Sequence, residues 1–206
     1  MENKLFTIKK ESSFTIKEKK SVFIGQSYKC LSENDVENHI NIITNKYDDA
    51  THNCWAYRIG IKQFKLKYND DGEPSGTAGK PILNIIQKND LTNILINVTR
   101  YYGGIKLGAG GLIRAYSKSA QKVVEKSIIK RLEKYLRYSI IIDYPNYDQI
   151  ENFFKNNSIK LESKEFKKLI EIKILVPKKK EKLFLNFYKN LTKNKYKAKF
   201  LNTFFV

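Results

Sequence analysis

The chain has ten glycines, and five of them, Gly103, Gly104, Gly108, Gly110 and Gly111, fall within nine residues. The run before them, TNILINVTRYY, is rich in β-branched and aromatic residues, as strands are. The run after them, LIRAYSKSAQKVVEKSII, puts Leu112, Ala115, Tyr116, Ala120, Val123 and Val124 on one helical face. This predicts a strand, a glycine-rich turn and a helix of about five turns in succession. Such a helix buries its apolar stripe on the sheet that holds the strand, which limits the chain to helices layered on sheets. It also aims the unpaired N–H groups and positive end of the helix at the space above the turn.

That space has the outline of an anion site, to which Arg100, Lys106 and Arg114 could add charge-assisted donors. Only five of the 39 basic residues are arginine, and two of them flank this cluster, where a planar guanidinium does what lysine cannot. The competing reading is architectural. Glycines would let the helix pack closely on its own sheet, with Arg100 and Arg114 paired to Asp70, Asp71 or Glu73.

Three more glycines lie in a second loop, YNDDGEPSGTAGKP. Asp70, Asp71 and Glu73 could approach a hard cation, but three carboxylates fall short of a calcium loop and Asp-Asp-Gly-Glu-Pro is ordinary turn chemistry. No metal is expected. Nucleotide fingerprints fail as well: Pro74 and Pro81 stand where a P-loop needs its first glycine and its hydroxyl, and Gly108-Ala109-Gly110 does not continue as a dinucleotide motif. No cofactor is expected. His52 and Cys54 can share a face of one strand, yet neighbours two apart seldom aim reactive atoms at each other, so packing is the better reading of both.

The rest of the chain divides near Arg131. Before it, LFTIK, SSFTIKEKK, SVFIGQSYKC and HNCWAYRIGI read as strands. ENDVENHINIITNKY reads as a helix capped by Ser32, and GTAGKPILNIIQ as a loop feeding a short helix. After it, the order strand, helix, strand, strand, helix, strand is the split βαβ pattern of ferredoxin-like domains. An α+β chain of two domains, 1–131 and 132–206, is expected. Lys178, Lys179 and Lys180 open the last helix, and Phe184, Phe187, Tyr188 and Leu191 form its buried stripe.

The net charge is +18, and it is uneven: residues 1–50 hold 8 basic and 8 acidic side chains, whereas 151–206 hold 15 and 5. Such an excess favours polyanionic partners, although abundant lysine with abundant asparagine and isoleucine also marks an A+T-rich coding habit. No apolar run reaches the roughly 18 residues of a membrane span and the N-terminus lacks a signal-like core, so a cytoplasmic protein with reduced cysteines and no membrane partner is expected.

DDGEPSGTAGKPIL followed by TRYYGGIKLGAGGLIRAYSKSA, with KKSVFIG and HNCWAY upstream, closely resembles the IMPACT/YigZ family of small cytoplasmic proteins. The resemblance implies an N-terminal domain folded like the second domain of a small-subunit ribosomal protein. It implies a C-terminal domain like the last domains of elongation factor G. It places the family signature on Asp70, Asp71, Gly72, Glu73, Pro74, Gly76, Thr77, Ala78, Gly79 and Pro81, and on Arg100, Tyr101, Tyr102, Gly103, Gly104, Leu107, Gly108, Gly110 and Gly111. Members of eukaryotic architecture modulate translation by binding the activator of an amino-acid-starvation kinase. For the bacterial type of C-terminal unit, which this chain has, the implied role is association with RNA or the ribosome.

The expected function is therefore a non-enzymatic, translation-linked binding protein engaging RNA or the ribosome, without DNA sequence specificity. Its expected binding residues are Asp70, Asp71, Glu73, Thr77, Arg100, Tyr101, Tyr102, Gly103, Gly104, Lys106, Gly108, Gly110, Gly111 and Arg114. Two rivals stand beside it. One is an enzyme acting on a phosphorylated or peptide substrate between the two loops, with Asp71 or Glu73 as base and Arg100 as anion clamp. The other is a protein-interaction module.

Overall fold

The strand that carries the glycine loop lies at the centre of a five-stranded sheet. In the computed structural model, which describes residues 4–205, the first strands are β1 (Phe6–Lys10), β2 (Ser12–Glu18) and β3 (Ser21–Lys29). There follow α1 (Glu33–Lys46), β4 (His52–Ile59), β5 (Lys65–Asn69), α2 (Gly79–Lys88), β6 (Ile94–Tyr101), α3 (Gly108–Lys126) and β7 (Ile128–Arg131). The sheet order is β2-β3-β6-β4-β5, every neighbour antiparallel, and β1 pairs separately with β7.

Register decides what each face carries. Val98 of β6 stands opposite Gly25 and Cys54, and Ile96 opposite Ser27 and Ala56, so these side chains share the face on which α2 and α3 lie. There Ile82, Ile86, Ile94, Ile96, Val98, Leu112, Tyr116, Ala120 and Val124 are buried in one cluster. Each large aliphatic side chain removed from water contributes about 1.5–3 kcal/mol before entropy is counted. Helix α3 comes close because β3 has Gly25 beneath it: a Cβ there would stand 2.5 Å from Val123 Cγ2. The opposite face is covered by α1, whose Val36 is buried with Cys30, Tyr57, Ile59 and Leu95 and whose Ile40 packs against them. Ser32 caps α1 with a reciprocal box to Asp35.

Two elements differ from the sequence reading. Helix α3 ends at Lys126, where Ser127 turns extended, and Ile128–Arg131 becomes β7 against β1 instead of prolonging the helix. The region between β4 and the DDGEP loop holds the strand β5, all of whose residues are exposed.

The second compact unit begins at Leu132. It contains β8 (Lys134–Ile142), α4 (Tyr147–Asn156), β9 (Lys160–Phe166), β10 (Ile170–Pro177), α5 (Glu181–Leu191) and β11 (Lys199–Phe205). The sheet order β11-β8-β10-β9 is that of a ferredoxin-like domain. Ile140, Ile142, Ile170, Ile172, Ile174 and Val176 face Ile150, Phe154, Phe184 and Tyr188 in its core. The chain is thus an α+β protein of two units.

Candidate functional site

The residues singled out in the two loops are divided by the structure into an internal knot and an open hollow. The knot begins with Asp70. Its carboxylate accepts the backbone N–H groups of Gly76 (2.8 Å), Ala78 (3.1 Å) and Gly79 (2.8 Å), so it caps α2 in place of a conventional N-cap side chain. Asp71 accepts from the Asn53 N–H at 2.6 Å, and the Thr77 hydroxyl donates to the Pro74 carbonyl at 2.6 Å. These groups are spent on holding the loop.

Glu73 and Arg100 carry the knot into the interior. Arg100 Nη1 donates to Glu73 Oε1 at 2.6 Å, with side-chain exposures of only 7% and 3%. The Tyr116 hydroxyl donates to the same oxygen at 2.8 Å. Burial, with Cys54 and Glu73 beside it, pushes the Tyr116 phenol well above its ordinary range. The guanidinium carbon lies 5.5 Å from the Phe23 ring centroid and 5.3 Å from that of Tyr102. His52, opposite Arg100 in the sheet, donates from Nδ1 to the Asp71 carbonyl and holds Nε2 4.0 Å from Glu73 Oε1. Cys54 Sγ lies 3.0 Å from the Asp70 carbonyl and 3.4 Å from the Tyr116 hydroxyl, and burial pushes its thiol upward. Arg100 and Glu73 neutralise one another, so neither is presented as a clamp or a base for a ligand. The pairing of Arg100 with Glu73 is the arrangement of the architectural alternative. Among the described residues no cluster of His, Cys, Asp and Glu is placed to hold a metal ion.

Tyr101 and Tyr102 are likewise engaged locally. The Tyr101 hydroxyl donates to Asp49 at 2.7 Å, which raises its pKa to about 12. The Tyr102 N–H donates to the Thr51 hydroxyl at 2.9 Å. Gly103 is a packing glycine: a Cβ would stand 2.1 Å from the Lys20 carbonyl carbon of the β2–β3 turn. Gly104 and Gly108 serve differently, with φ of +82° and +71° and nothing near their missing side chains. They swing the chain from β6 to the start of α3. Lys106 is exposed on that loop.

The hollow lies at the start of α3. It has a volume of about 200 Å³ and is lined by Glu18, Lys19, Leu107, Gly111, Arg114, Ala115 and Lys118. Leu107, at the cap position, offers no side-chain acceptor to the helix N–H groups, and Gly108, Ala109 and Gly110 beside it are exposed. Arg114 is exposed, and Lys118 lies 3.9 Å from Glu18. Of the residues expected from sequence, Gly111 and Arg114 line this hollow and Gly108 and Gly110 adjoin it. Lys19 and Lys118 were missed. Their signals were the Lys19-Lys20 pair as a two-residue hairpin turn, with φ of 44° and 66°, and the spacing of Lys118 four residues after Arg114.

A layered domain with a basic hollow at a helix start, followed by a ferredoxin-like unit, defines a two-domain α+β protein. The Impact N-terminal domain model matches residues 19–124. The IMPACT family member YvyE of Bacillus subtilis is 37% identical over 92% of this chain and 88% of its own length. The family member YigZ of Escherichia coli is 31% identical over 64% and 66%. A crystal structure of a hypothetical protein, 24% identical, superposes with a TM-score of 0.69 over 98% of each chain and shares the fold. The chain belongs to the IMPACT family.

Proposed function

We propose that this protein is a non-enzymatic, translation-linked binding protein that engages RNA or the ribosome through the hollow at the start of α3. The observation that carries this reading is the convergence of Lys19, Arg114 and Lys118, against the one carboxylate of Glu18 that lies 3.9 Å from Lys118, on an accessible hollow beside uncapped helix N–H groups. Those groups are donors of the kind that phosphate oxygens accept. A hollow of about 200 Å³ open to solvent leaves room for a phosphate group. The net charge of +18 supplies the long-range attraction, and the lysine-rich second unit adds a sequence-independent contribution. Membership of the family supports the link to translation. Cytoplasmic residence belongs to the same proposal; among the described residues no helix is long and apolar enough to cross a membrane.

The test is fluorescence anisotropy of a labelled structured RNA, repeated over a range of salt concentrations. Affinity should fall steeply as salt rises. Arg114→Ala should weaken binding to every RNA sequence alike and lower the slope of log affinity against log salt by about one. Lys46→Ala, on α1, should leave that slope nearly unchanged. Binding by an Arg114→Ala, Lys118→Ala variant with wild-type affinity and slope would overturn the proposal.

A further inference from the structure

The five-stranded sheet ends in β5, whose outer edge has no neighbouring strand among the described residues. An edge strand offers every second N–H and C=O outward, a template for another extended chain. The two faces of β5 differ. Leu66 and Tyr68 stand opposite Arg58 and Ala56 of β4, and the Arg58 guanidinium lies 3.7 Å from the Phe64 ring centroid, so Phe64, Leu66 and Tyr68 form a stripe on one face. They are 38%, 43% and 42% exposed, an unusual share of water contact for three neighbouring large apolar groups. On the other face stand Lys65 and Lys67, opposite Ile59 and Tyr57.

Lysines on an edge guard against pairing with the wrong chain. Two copies of β5 paired antiparallel would set lysines opposite lysines, which is destabilising. An acidic strand in the same place would meet opposite charge. Glu33 already shows the preference, since its carboxylate reaches from α1 to pair with Lys65. The apolar stripe adds the second requirement, residues that extend it in alternation with the acids.

We propose that the free edge of β5 is a peptide-docking surface. It takes an extended segment in which acidic and apolar residues alternate, added as a further strand of the sheet. The acids face Lys65 and Lys67, and the apolar residues continue the Phe64, Leu66 and Tyr68 stripe. This surface is independent of the hollow at α3.

The probe is a synthetic peptide of about seven residues alternating Glu with Val or Ile, titrated by calorimetry and by amide-resolved NMR. Three controls accompany it: the same composition with its carboxylates clustered, an alternating Lys version, and the alternating acidic peptide N-methylated on every second amide. The acidic alternating peptide should bind, with amide shifts confined to residues 64–69 and the facing residues of β4. The controls should bind about tenfold more weakly, and Lys67→Glu should weaken the acidic peptide by a similar factor while strengthening the Lys version. Equal binding of the clustered or N-methylated peptide, shifts centred elsewhere on this basic protein, or sedimentation showing β5 buried by a second copy would each overturn the proposal.

Discussion

Replacing Glu73 by Gln isolates the charge of the Glu73–Arg100 pair while keeping its shape. A Gln oxygen can still accept from Arg100 Nη1 and Tyr116, so the packing and both hydrogen bonds of 2.6 and 2.8 Å have a substitute. What is lost is the countercharge of a guanidinium that is only 7% exposed. Stranding a buried charge in this way costs about 3–5 kcal/mol, against about 5–15 kcal/mol of total stability for a typical domain. Urea unfolding followed by tryptophan fluorescence measures it directly, because Trp55 is the only tryptophan and lies on β4 of the first unit. With a urea dependence of about 2 kcal/mol per molar, the midpoint should fall by about 2 M. Adding Arg100→Met to Glu73→Gln should recover much of the loss, since the charge that needed a partner is gone. A loss below about 1 kcal/mol, or a double variant no better than the single one, would refute the view of this pair as a neutralised structural element.

Asp70→Ala removes the acceptor of three backbone N–H groups at the start of α2 and should cost about 2 kcal/mol in the same assay. Gly25→Ala should cost about 1–3 kcal/mol by forcing α3 away from β3, with Val123 Cγ2 only 2.5 Å from the added atom. Both cysteines are buried and unpaired, and burial raises the Cys30 thiol from 9.0 to about 12. The folded protein should therefore resist a thiol reagent at pH 8 until it is unfolded. The sign of the alkaline effect follows: the native state keeps a proton that the unfolded chain releases above pH 9.0, so this stabilisation, complete below that pH, should drain away as pH rises toward about 12.

The legible parts of the fold were those in which a residue's neighbours in sequence are also its neighbours in space. The stripe from Leu112 to Val124 showed α3, and Ser32 showed the start of α1, where the capping box forms. Strand β5 has a local signal, the alternation of Phe64, Leu66 and Tyr68 with Lys65 and Lys67, which the sequence reading leaves unused; all five residues of the strand are exposed, so that alternation marks no buried face. Strand β7 was hidden because Ile128 and Ile129 continue the apolar content of α3 after Ser127, and only β1, more than a hundred residues earlier, ends the ambiguity by pairing with them. The site divided in the same way. The glycines marked the turn correctly as a place of unusual backbone, but the meeting of Arg100 with Glu73 depends on β6 lying between β3 and β4 in one particular register. That register also brings His52 to the pair. Lys19 reaches the hollow only because the β2–β3 hairpin lies beside α3, a tertiary fact with a faint local signal in the Lys19-Lys20 turn.

The most direct test of a phosphate-binding hollow is an amide NMR titration of the intact protein with a short RNA hairpin. Shifts should concentrate at Lys19, at Gly108 to Arg114 and at Lys118, and should vanish as salt rises. Shifts confined to the lysine-rich second unit, with the start of α3 unmoved at saturation, would contradict it.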